Sequence, residues 1–512
     1  MVDLAQTLLL ALAAFAALSL AVSACARTVL LRTLARRGPQ PRRGVRPAEP
    51  PDAERLPPVS VLKPLKGADP GLLDNLAAFA RQDYPCFELI LGAADPDDPA
   101  LEVARQFAAE HPEVEVRIVA GAPELGLNPK VRVLAELARH ARFEHLLVSD
   151  ADVRPDGAYL REAVREVVAP ASPRPSGLVQ RRPRGHARPR PEAPPVGLVA
   201  SLLTPDLGRA GARPLGALLD GLHLATFVTP AVALAAAAGH PCVVGKSMLF
   251  RRSHLARLGG WPAVADVLAE DYLLGRKLAE GGYRVAVSAH PLTVGAGRRT
   301  VREFLARHLR WSQMRCRIAP AAYLAEPLLA PAPALVALGA AGAAAAAGGL
   351  AAGGWAAAGA AAALAAHLAV EAAVLGRLTG RRPRAAEIAL LPLKDLLIAA
   401  VWLAAPFRRT VAWRGTRLRI GAGSRLYPLG AGSRPTPAPA TSAPFARRPE
   451  LPAILRPTAA RPAALPHPLT ALAGSRTAAG GAMRAVGLSA AAGLDRPRLP
   501  PAVAARLAEE AA

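Results

Sequence analysis

The chain has 512 residues, enough for two or three domains, and a formal net charge of +24. Such a charge fits nucleic acid, an anionic membrane surface or acidic substrates as partners. Aromatic residues make up only 4% of the sequence, which argues against base-stacking surfaces, and we expect no nucleic-acid partner. The four cysteines are scattered without metal-ligand spacing and favour a reducing compartment over a disulfide framework.

The first predicted element is an apolar helix near the N-terminus. Residues 8–24 carry no charge and are long enough to cross a bilayer. A secretory signal is the alternative, because Ser23-Ala24-Cys25-Ala26 resembles a cleavage or lipidation site. However, Asp3 and the absence of Lys or Arg before the apolar run are unlike a signal peptide. We predict an N-terminal transmembrane anchor over residues 1–37 and a Pro/Arg-rich linker over residues 38–57.

Four basic residues follow the apolar run and set its predicted orientation. They are Arg27, Arg32, Arg36 and Arg37. The positive-inside rule places the segment after them in the cytoplasm. Because the Ala- and Arg-rich composition is typical of a GC-rich bacterial genome, the membrane is expected to be the inner (plasma) membrane of a bacterium.

From residue 58 short β-prone runs alternate with helical patterns. Strands are predicted at 59–62, 87–92, 114–119 and 146–149, with helices over 71–82, 100–110 and 128–141. This alternation predicts an α/β fold with a mainly parallel twisted sheet, in a domain over residues 58–320. Asp95 and Asp150 both come just after strands, so both are expected at the same edge of the sheet.

Two carboxylates, Asp150 and Asp152, follow the buried strand at 146–149. Side chains two residues apart on an extended segment point the same way, and two facing carboxylates repel unless a cation lies between them. Mg²⁺ or Mn²⁺ takes oxygen ligands of this kind and often shares them with substrate phosphates. The alternative is a turn with two solvated aspartates, since Asp is common after strands.

Several motifs of the chain occur together in one known family. They are Lys63-Pro64-Leu65-Lys66-Gly67, Gln82-Asp83-Tyr84-Pro85, Asp95-Pro96-Asp97-Asp98-Pro99, Asn128-Pro129-Lys130, Gly245-Lys246-Ser247-Met248, Glu270-Asp271-Tyr272 and Arg307-His308-Leu309-Arg310-Trp311. Together they resemble the ceramide glucosyltransferase family, with the hopanoid-linked N-acetylglucosaminyltransferases as close bacterial relatives. The resemblance covers about residues 58–320 and more weakly extends to about residue 420. It implies a GT-A fold and an inverting transferase that uses a nucleotide sugar.

The resemblance also implies roles for individual residues. Asp271 is expected to be the catalytic base, which takes the proton from an attacking hydroxyl. Trp311 is expected to contact the acceptor, and Asp150 and Asp152 to bind the divalent cation, Mg²⁺ or Mn²⁺. The residues expected to bind the nucleotide-sugar donor are Asp95, Lys63, Lys130, Asp150, Arg307 and Arg310.

Simpler interpretations exist for two of these motifs. Carboxylates at a helix N-terminus, such as Glu270 and Asp271, are favoured by the helix dipole and often only cap the helix. Residues 301–317 also fit a basic amphipathic helix on anionic lipid, with Trp311 as an interface anchor.

Two stretches depart from the family pattern. Residues 170–195 are Arg- and Pro-rich without an apolar period, which predicts a disordered insertion. Residues 215–239 are largely apolar and are interpreted as an interfacial helix or a wall of the acceptor pocket. The family carries a histidine before a proline in this neighbourhood; Thr229-Pro230 stands here, so the role of that histidine is not carried over.

Residues 321–408 are predicted to form C-terminal transmembrane helices, with spans at about 328–348, 352–375 and 386–405. Lys394 and Asp395 lie within the third span and are expected to pair with each other or with Glu371. A third crossing would put the basic residues after position 408 outside the cell, against the positive-inside rule, so one segment is expected to be re-entrant or interfacial. Residues 409–512 are predicted to be a basic segment and a disordered tail.

Two classes of function follow. The first is a multi-pass membrane enzyme with its catalytic domain in the cytoplasm, which transfers glucose from UDP-glucose to a lipid hydroxyl such as that of ceramide. Transfer of N-acetylglucosamine to a hopanoid lipid is the alternative within this class. The second class is a non-catalytic membrane scaffold that binds lipid on a transferase fold; the intact set of separated acidic motifs argues against it.

Overall fold

The computed structural model describes residues 2–35, 56–168, 194–208, 213–240, 242–295, 297–413 and 416–429. The predicted linker over residues 38–57 and the insertion over residues 170–195 fall almost entirely outside these ranges. The predicted tail beyond residue 429 also lies outside them.

Eight strands and ten helices make up the described part of the N-terminal anchor and the α/β domain (residues 56–318). In chain order they are α1 (Val2–Ala35), β1 (Val59–Pro64), α2 (Leu72–Ala80), β2 (Phe87–Ala93), α3 (Ala100–Glu110), β3 (Val116–Ala120), α4 (Pro129–His140), β4 (His145–Ser149), β5 (Val153–Arg154), α5 (Tyr159–Val168), β6 (Val196–Asp206), α6 (Leu215–His223), α7 (Thr229–Ala237), β7 (Ser247–Arg251), α8 (Arg252–Arg257), α9 (Glu270–Glu280), β8 (Arg284–Gly295) and α10 (Val301–Ile318). A π-helical turn, Leu224–Val228, joins α6 to α7. The α/β class predicted from the alternating pattern is confirmed.

The eight strands form one mixed sheet in the order β3-β2-β1-β4-β7-β6-β8-β5. Strands β1 to β4 pair in parallel, as expected, and β6 pairs in parallel with β8. Strand β7, however, runs antiparallel to both β4 and β6, and β5 runs antiparallel to β8. Four of the seven strand pairings are parallel, so the prediction of a mainly parallel sheet is confirmed. The three antiparallel pairings involve β5 and β7, whose direction was not predicted because a short run of residues does not encode its own direction.

The antiparallel β7 has a direct consequence for the edge of the sheet. Ser149, the last residue of β4, pairs with Ser247, the first residue of β7. The residue after β4 and the residue before β7 therefore lie side by side, and the Asp150 N–H donates to Lys246 O at 3.1 Å. This pairing brings together two motifs that lie almost a hundred residues apart in the sequence.

Local signals explain where the two site-bearing helices begin. The Asn128 side chain caps α4 by accepting from the N–H groups of Lys130 (2.9 Å) and Val131 (3.1 Å), and Pro129 fills the first helical position. Thr300 caps α10 in a reciprocal capping box with Glu303. The predicted starts of both helices are confirmed.

Four apolar helices of the described chain are long enough to cross a membrane, judged by length and composition. They span Leu4–Ala35, Leu215–Ala237, Ala351–Thr379 and Ala385–Phe407. The second is mostly buried inside the protein, because 78% of its most apolar window is covered. The predicted span at 328–348 corresponds to a helix pair, Pro320–Leu329 and Ala332–Ala347, bent by 60°.

The remaining helices and strands lie after the α/β domain. They are α11 (Pro320–Ala325), α12 (Ala332–Ala347), α13 (Ala351–Thr379), α14 (Ala385–Ala404), β9 (Thr410–Trp413), β10 (Thr416–Ile420) and β11 (Leu426–Pro428). Strands β9 to β11 form an antiparallel sheet. These strands lie in the predicted basic segment and were not themselves predicted, and Val411 and Leu418 within them are buried.

Both ends of α14 contact the α/β domain. At its start, Arg384 donates to Gly208 O at 2.8 Å. Just past its end, Arg408 O accepts from the Gln313 amide at 2.9 Å and from Arg317 at 2.7 Å. Helix α14 therefore runs along the domain from one contact to the other.

Two ion pairs are buried among the apolar helices. Arg27 of α1 binds Glu371 of α13 at 2.5 Å, and Lys394 binds Asp395 at 2.5 Å. Lys394 also donates to the Thr226 hydroxyl at 2.8 Å. Of the two partners expected for Lys394, Asp395 is the one it binds, whereas Glu371 binds Arg27.

Candidate active site

Asp150 and Asp152 lie just past the carboxyl end of β4 and both contact one cationic side chain. That cation is the Lys246 ammonium, whose Nζ is 2.7 Å from each oxygen of Asp152 and 3.1 Å from Asp150 Oδ2. Both carboxylates remain partly exposed, at 26% for Asp150 and 21% for Asp152. They therefore face an open site from one side and a lysine from the other.

A second ammonium, that of Lys130, lies on the opposite side of Asp150. Its Nζ is 2.9 Å from Asp150 Oδ1, 3.0 Å from Glu270 Oε1 and 3.1 Å from Gly245 O. Burial works against the charge on Lys130, but the Asp150 and Glu270 carboxylates outweigh it and raise the pKa of the ammonium above its ordinary value. The two lysines in turn outweigh burial at Asp150 and hold the pKa of that carboxyl well below its usual range.

Asp271 joins the same cluster through the main chain of Gly245. It is the second residue of α9, and its Oδ2 accepts from the Gly245 N–H at 2.6 Å while its Oδ1 accepts from the Tyr272 N–H at 2.7 Å. Burial, followed by the neighbouring Glu270 charge, raises the pKa of Asp271 to about 6. A partly exposed carboxylate of that pKa can accept a proton near neutral pH, as a general base must.

Lys63 lies beneath the site and has no exposed surface. Its Nζ donates to Asp150 O at 2.9 Å and to Ser149 Oγ at 3.2 Å, so it holds the main chain at the end of β4. Burial lowers the pKa of Lys63 to about 7. The geometry therefore places Lys63 as a support for Asp150 and not among the side chains that face the open site.

Asp95 lies on the same edge of the sheet but in the exposed loop after β2. Its Oδ1 accepts from the Asp97 N–H at 3.0 Å, within its own loop. The buried member of this acidic motif is Asp98, which accepts from the N–H groups of Gly67 (2.8 Å) and Ala100 (2.9 Å). Asp98 thereby connects the loop after β1 to the loop after β2, at the same edge of the sheet as Asp95.

The arginines of α10 contact different groups. The Arg307 guanidinium lies 4.4 Å from the centre of the Trp311 ring and 3.5 Å from Asp220 Oδ1. Arg310 instead donates to Ala412 O in the C-terminal sheet at 3.4 Å. The two guanidinium groups therefore contact different parts of the protein.

Arg299 connects the carboxylate pair to α10. It lies 2.9 Å from Asp220 Oδ2 and approaches Asp152 Oδ2 at 3.8 Å. Asp220 also accepts from His308 Nε2 at 2.8 Å. A small cavity at this point is lined by Asp220, Gly221, Leu224, Lys246, Val294, Gly295, Arg307, His308 and Trp311.

Comparison with known proteins identifies the family. Glycosyl transferase family 21 matches this chain over residues 12–193 and 189–426, which is most of its length. The chain belongs to glycosyl transferase family 21. The family agrees with the resemblance to ceramide glucosyltransferases and with the transferase fold expected from the sequence.

Two curated relatives of this family 21 chain are both named as ceramide glucosyltransferases. Ceramide glucosyltransferase 3 of Caenorhabditis elegans is 30% identical over 275 residues, covering 53% of this chain and 54% of the relative. Ceramide glucosyltransferase of Pyricularia oryzae (strain 70-15) is 26% identical over 333 residues, covering 55% of this chain and 63% of the relative. The matched region thus spans little more than half the length of these relatives.

Among solved structures, the mannosyltransferase PcManGT from Pyrobaculum calidifontis, in complex with GDP-Man and Mn²⁺, is 22% identical to the family 21 chain. The similarity covers 77% of this chain and 99% of that chain, with a TM-score of 0.40.

The family 21 site offers two carboxylates to a divalent cation. Among the described residues no group of three or more His, Cys, Asp or Glu side chains could hold a metal ion. Mg²⁺ nevertheless needs only one or two carboxylates when substrate phosphates and water complete its ligands. Asp150 and Asp152 fit that donor set, although the Lys246 ammonium lies between them.

Four further residues of this cluster in the family 21 chain were not predicted as functional candidates: Lys246, Gly245, Arg299 and Asp220. Lys246 and Gly245 stand in a family motif, which was the available signal. Arg299 and Asp220 stand in no quoted motif, and only the fold places them next to Asp152 and Arg307.

Proposed function

We propose that this protein is a membrane-bound inverting glycosyltransferase that moves glucose from UDP-glucose to a lipid hydroxyl such as that of ceramide. The observation that carries the proposal is the convergence of Asp271, Asp150 and Asp152 around Gly245 and two lysines. Acidic residues from two distant motifs and lysines from two others meet at the carboxyl edge of an α/β sheet, where such folds bind their ligands.

The lysine-carboxylate cluster suits a nucleoside diphosphate sugar. Asp150 and Asp152 would hold Mg²⁺ or Mn²⁺, which supplies positive charge for the leaving diphosphate when bound. Lys130, on the other oxygen of Asp150, adds a further positive charge beside it. Asp95, on the outer loop of the same edge, is the candidate for contact with the uridine, and Arg307 and Arg310 are candidates for the diphosphate.

Asp271 is suited to act as the base of a single displacement. The acceptor oxygen would attack the anomeric carbon of the sugar as its proton passes to the Asp271 carboxylate. The bond between that carbon and the diphosphate oxygen breaks, and UDP leaves with the bonding electrons. One displacement inverts the anomeric centre, and one carboxylate with a pKa of about 6 is sufficient to accept the proton.

The apolar helices fit an acceptor that stays in the bilayer. Trp311, beside the cavity that contains Lys246 and Leu224, is the candidate for acceptor contact. The buried helical segment Leu215–Ala237 forms a wall of that cavity, which agrees with the interpretation of residues 215–239 as an acceptor-pocket wall. The names of the curated relatives support ceramide as the acceptor and glucose as the sugar.

We propose a multi-pass topology in a bacterial plasma membrane, with the α/β domain in the cytoplasm. Helices α1, α12 and α13 would cross the bilayer, and α14 would lie at its surface because both of its ends contact the α/β domain. This arrangement removes the conflict with the positive-inside rule, since the basic residues after position 408 stay on the cytoplasmic side.

The proposal is tested by incubating membranes that contain the protein with radiolabelled UDP-glucose or UDP-N-acetylglucosamine, and with ceramide or a hopanoid polyol. We expect a labelled glucosylceramide with the β configuration, and no product in the Asp271→Asn variant. Label on the hopanoid from UDP-N-acetylglucosamine would instead establish the alternative acceptor and sugar. Absence of product from every pair would favour the non-catalytic scaffold.

A further inference from the structure

The segment that leads into helix α9 is held from its inner side by Asn128. The Asn128 amide donates to Val267 O at 2.7 Å and to Glu270 Oε2 at 3.2 Å. Asp271 lies one residue into α9, so the contacts that fix residues 266–270 also fix the position of its carboxylate.

The outer side of the same segment is held by Ser424, in the turn between β10 and β11. Ser424 Oγ accepts from the Ala269 N–H at 3.2 Å, and Ser424 O accepts from the Leu268 N–H at 3.0 Å. Both donors precede the first turn of α9, where no helical carbonyl accepts them. The pairing continues with the Leu426 N–H, which donates to Asp266 O at 2.7 Å.

Ser424 adopts an unusual conformation to make these contacts. Its φ is 58°, and it is the one non-glycine residue of the described chain with a positive φ. Residues with a Cβ rarely adopt this conformation, because the Cβ comes close to a backbone carbonyl. Ser424 is also fully buried. Strained residues of this kind persist where the surrounding structure requires them, and they concentrate at functional sites.

The C-terminal sheet (residues 408–428) also holds helix α10. The Gln313 amide donates to Arg408 O at 2.9 Å and to Thr410 O at 3.1 Å. The apolar side chains that fill the space between the sheet, α10 and the α9 segment are Leu127, Leu268, Met314, Val411, Trp413, Leu418, Ile420 and Leu426. The sheet thus joins the helix that carries Arg307 and Trp311 to the segment that carries Asp271.

We propose that the C-terminal sheet is a clamp that holds Asp271 in its reacting position, and that Ser424 is the positioning residue of this clamp. The inference rests on the proposed function in taking Asp271 as the base. Ser424 acts through Ala269 and Leu268 and does not itself touch a substrate.

The test compares two substitutions at Ser424 in the full-length membrane protein. Ser424→Gly keeps the positive φ without strain but removes the hydroxyl that accepts from Ala269. We expect kcat to fall about tenfold or more, while KM for the nucleotide sugar changes less than about twofold. The reason is that a small displacement of the base slows proton transfer more than it weakens donor binding. Ser424→Asn, which tolerates a positive φ and offers an amide oxygen, is expected to restore part of kcat.

Hydrogen exchange provides the second measurement. In Ser424→Gly, peptides covering residues 266–272 are expected to exchange faster, with the rest of the α/β domain unchanged. Thr416→Ala, an exposed position on β10 of the same sheet, is the matched control and is expected to change neither kcat nor exchange.

The proposal is overturned if Ser424→Gly retains the kcat of the wild type and the exchange of residues 266–272. It is also overturned if exchange rises throughout the domain and KM worsens with kcat, since Ser424 would then have a general structural role. If the wild-type chain transfers no sugar, the proposed function has failed, and exchange in residues 266–272 alone decides whether Ser424 positions the α9 segment.

Discussion

The Gly245 N–H donates a 2.6 Å hydrogen bond to Oδ2 of Asp271, and a Cβ on Gly245 would lie only 2.8 Å from that same oxygen. Position 245 must therefore be a glycine for the Asp271 carboxylate to approach the main chain so closely. This contact joins the candidate base to the loop before β7, which also carries Lys246.

Gly245→Ala is expected to displace the Asp271 carboxylate and to lower kcat by about a hundredfold, because a shift of about 1 Å at a reacting group has that effect. Steady-state transfer assays on purified protein in detergent or nanodiscs would measure it. Gly354→Ala is the matched control, since a Cβ there meets no neighbouring atom within 4 Å. Equal activity of Gly245→Ala and the wild type would contradict the proposed placement of Asp271.

The pH dependence of transfer is expected to report Asp271. Its pKa is raised to about 6 by burial and then by Glu270, and only the ionised carboxylate accepts a proton. The value of kcat/KM should therefore fall about tenfold per pH unit below pH 6 and level off above it. Glu270→Gln removes the negative charge beside Asp271 and so lowers the pKa of Asp271. The acid limb of the pH profile, where kcat/KM falls, should therefore move to lower pH.

The control for this experiment is Glu280→Gln, at the far end of the same helix, where the side chain is exposed. It should leave the acid limb where it is in the wild type. A flat profile between pH 5 and 7, or an acid limb that Glu270→Gln does not move, would show that another group limits the rate.

Lys246 occupies the position between Asp150 and Asp152 that a divalent cation would share. A cation must displace this ammonium, so Lys246→Met is expected to tighten Mn²⁺ binding about tenfold in the absence of donor, as measured by electron paramagnetic resonance. Lys277→Met on α9 is the control. Unchanged Mn²⁺ affinity in Lys246→Met would show that the ion does not bind between these carboxylates.

The contacts of α14 predict on which side of the membrane the C-terminal sheet lies. Thr416→Cys is introduced into a variant in which Cys86 is the only native cysteine left. The new thiol should react with a membrane-impermeant maleimide in inverted vesicles and not in intact spheroplasts. Cys86 is exposed in the α/β domain and should show the same preference. Labelling of the two thiols from opposite sides would mean that α14 crosses the bilayer.

The parts of the fold that carry local signals were predictable from the sequence. An apolar run ending in Asp150 and Asp152 predicts a strand with carboxylates at its end, and the Asn128-Pro129 pair predicts the start of α4. Glu270 and Asp271 likewise begin α9 as expected. Each of these features depends on side chains within a few residues of one another.

The rest depends on contacts between distant parts of the chain. The antiparallel direction of β7, which brings Lys246 to Asp152, has no signature in its apolar run. The C-terminal sheet is short and basic, and its apolar face packs against Leu268 and Met314 from distant parts of the chain. For the same reason, no sequence pattern indicates that Ser424 contacts Ala269, which lies more than 150 residues earlier.

The measurement that tests the central claim most directly is transfer and donor binding by Asp271→Asn. Asn cannot accept the proton but nearly keeps the shape of the side chain, so transfer should be abolished while the Kd for UDP-sugar, measured by calorimetry, stays within about threefold of the wild type. Substantial turnover by Asp271→Asn, with donor affinity intact, would contradict the assignment of Asp271 as the base.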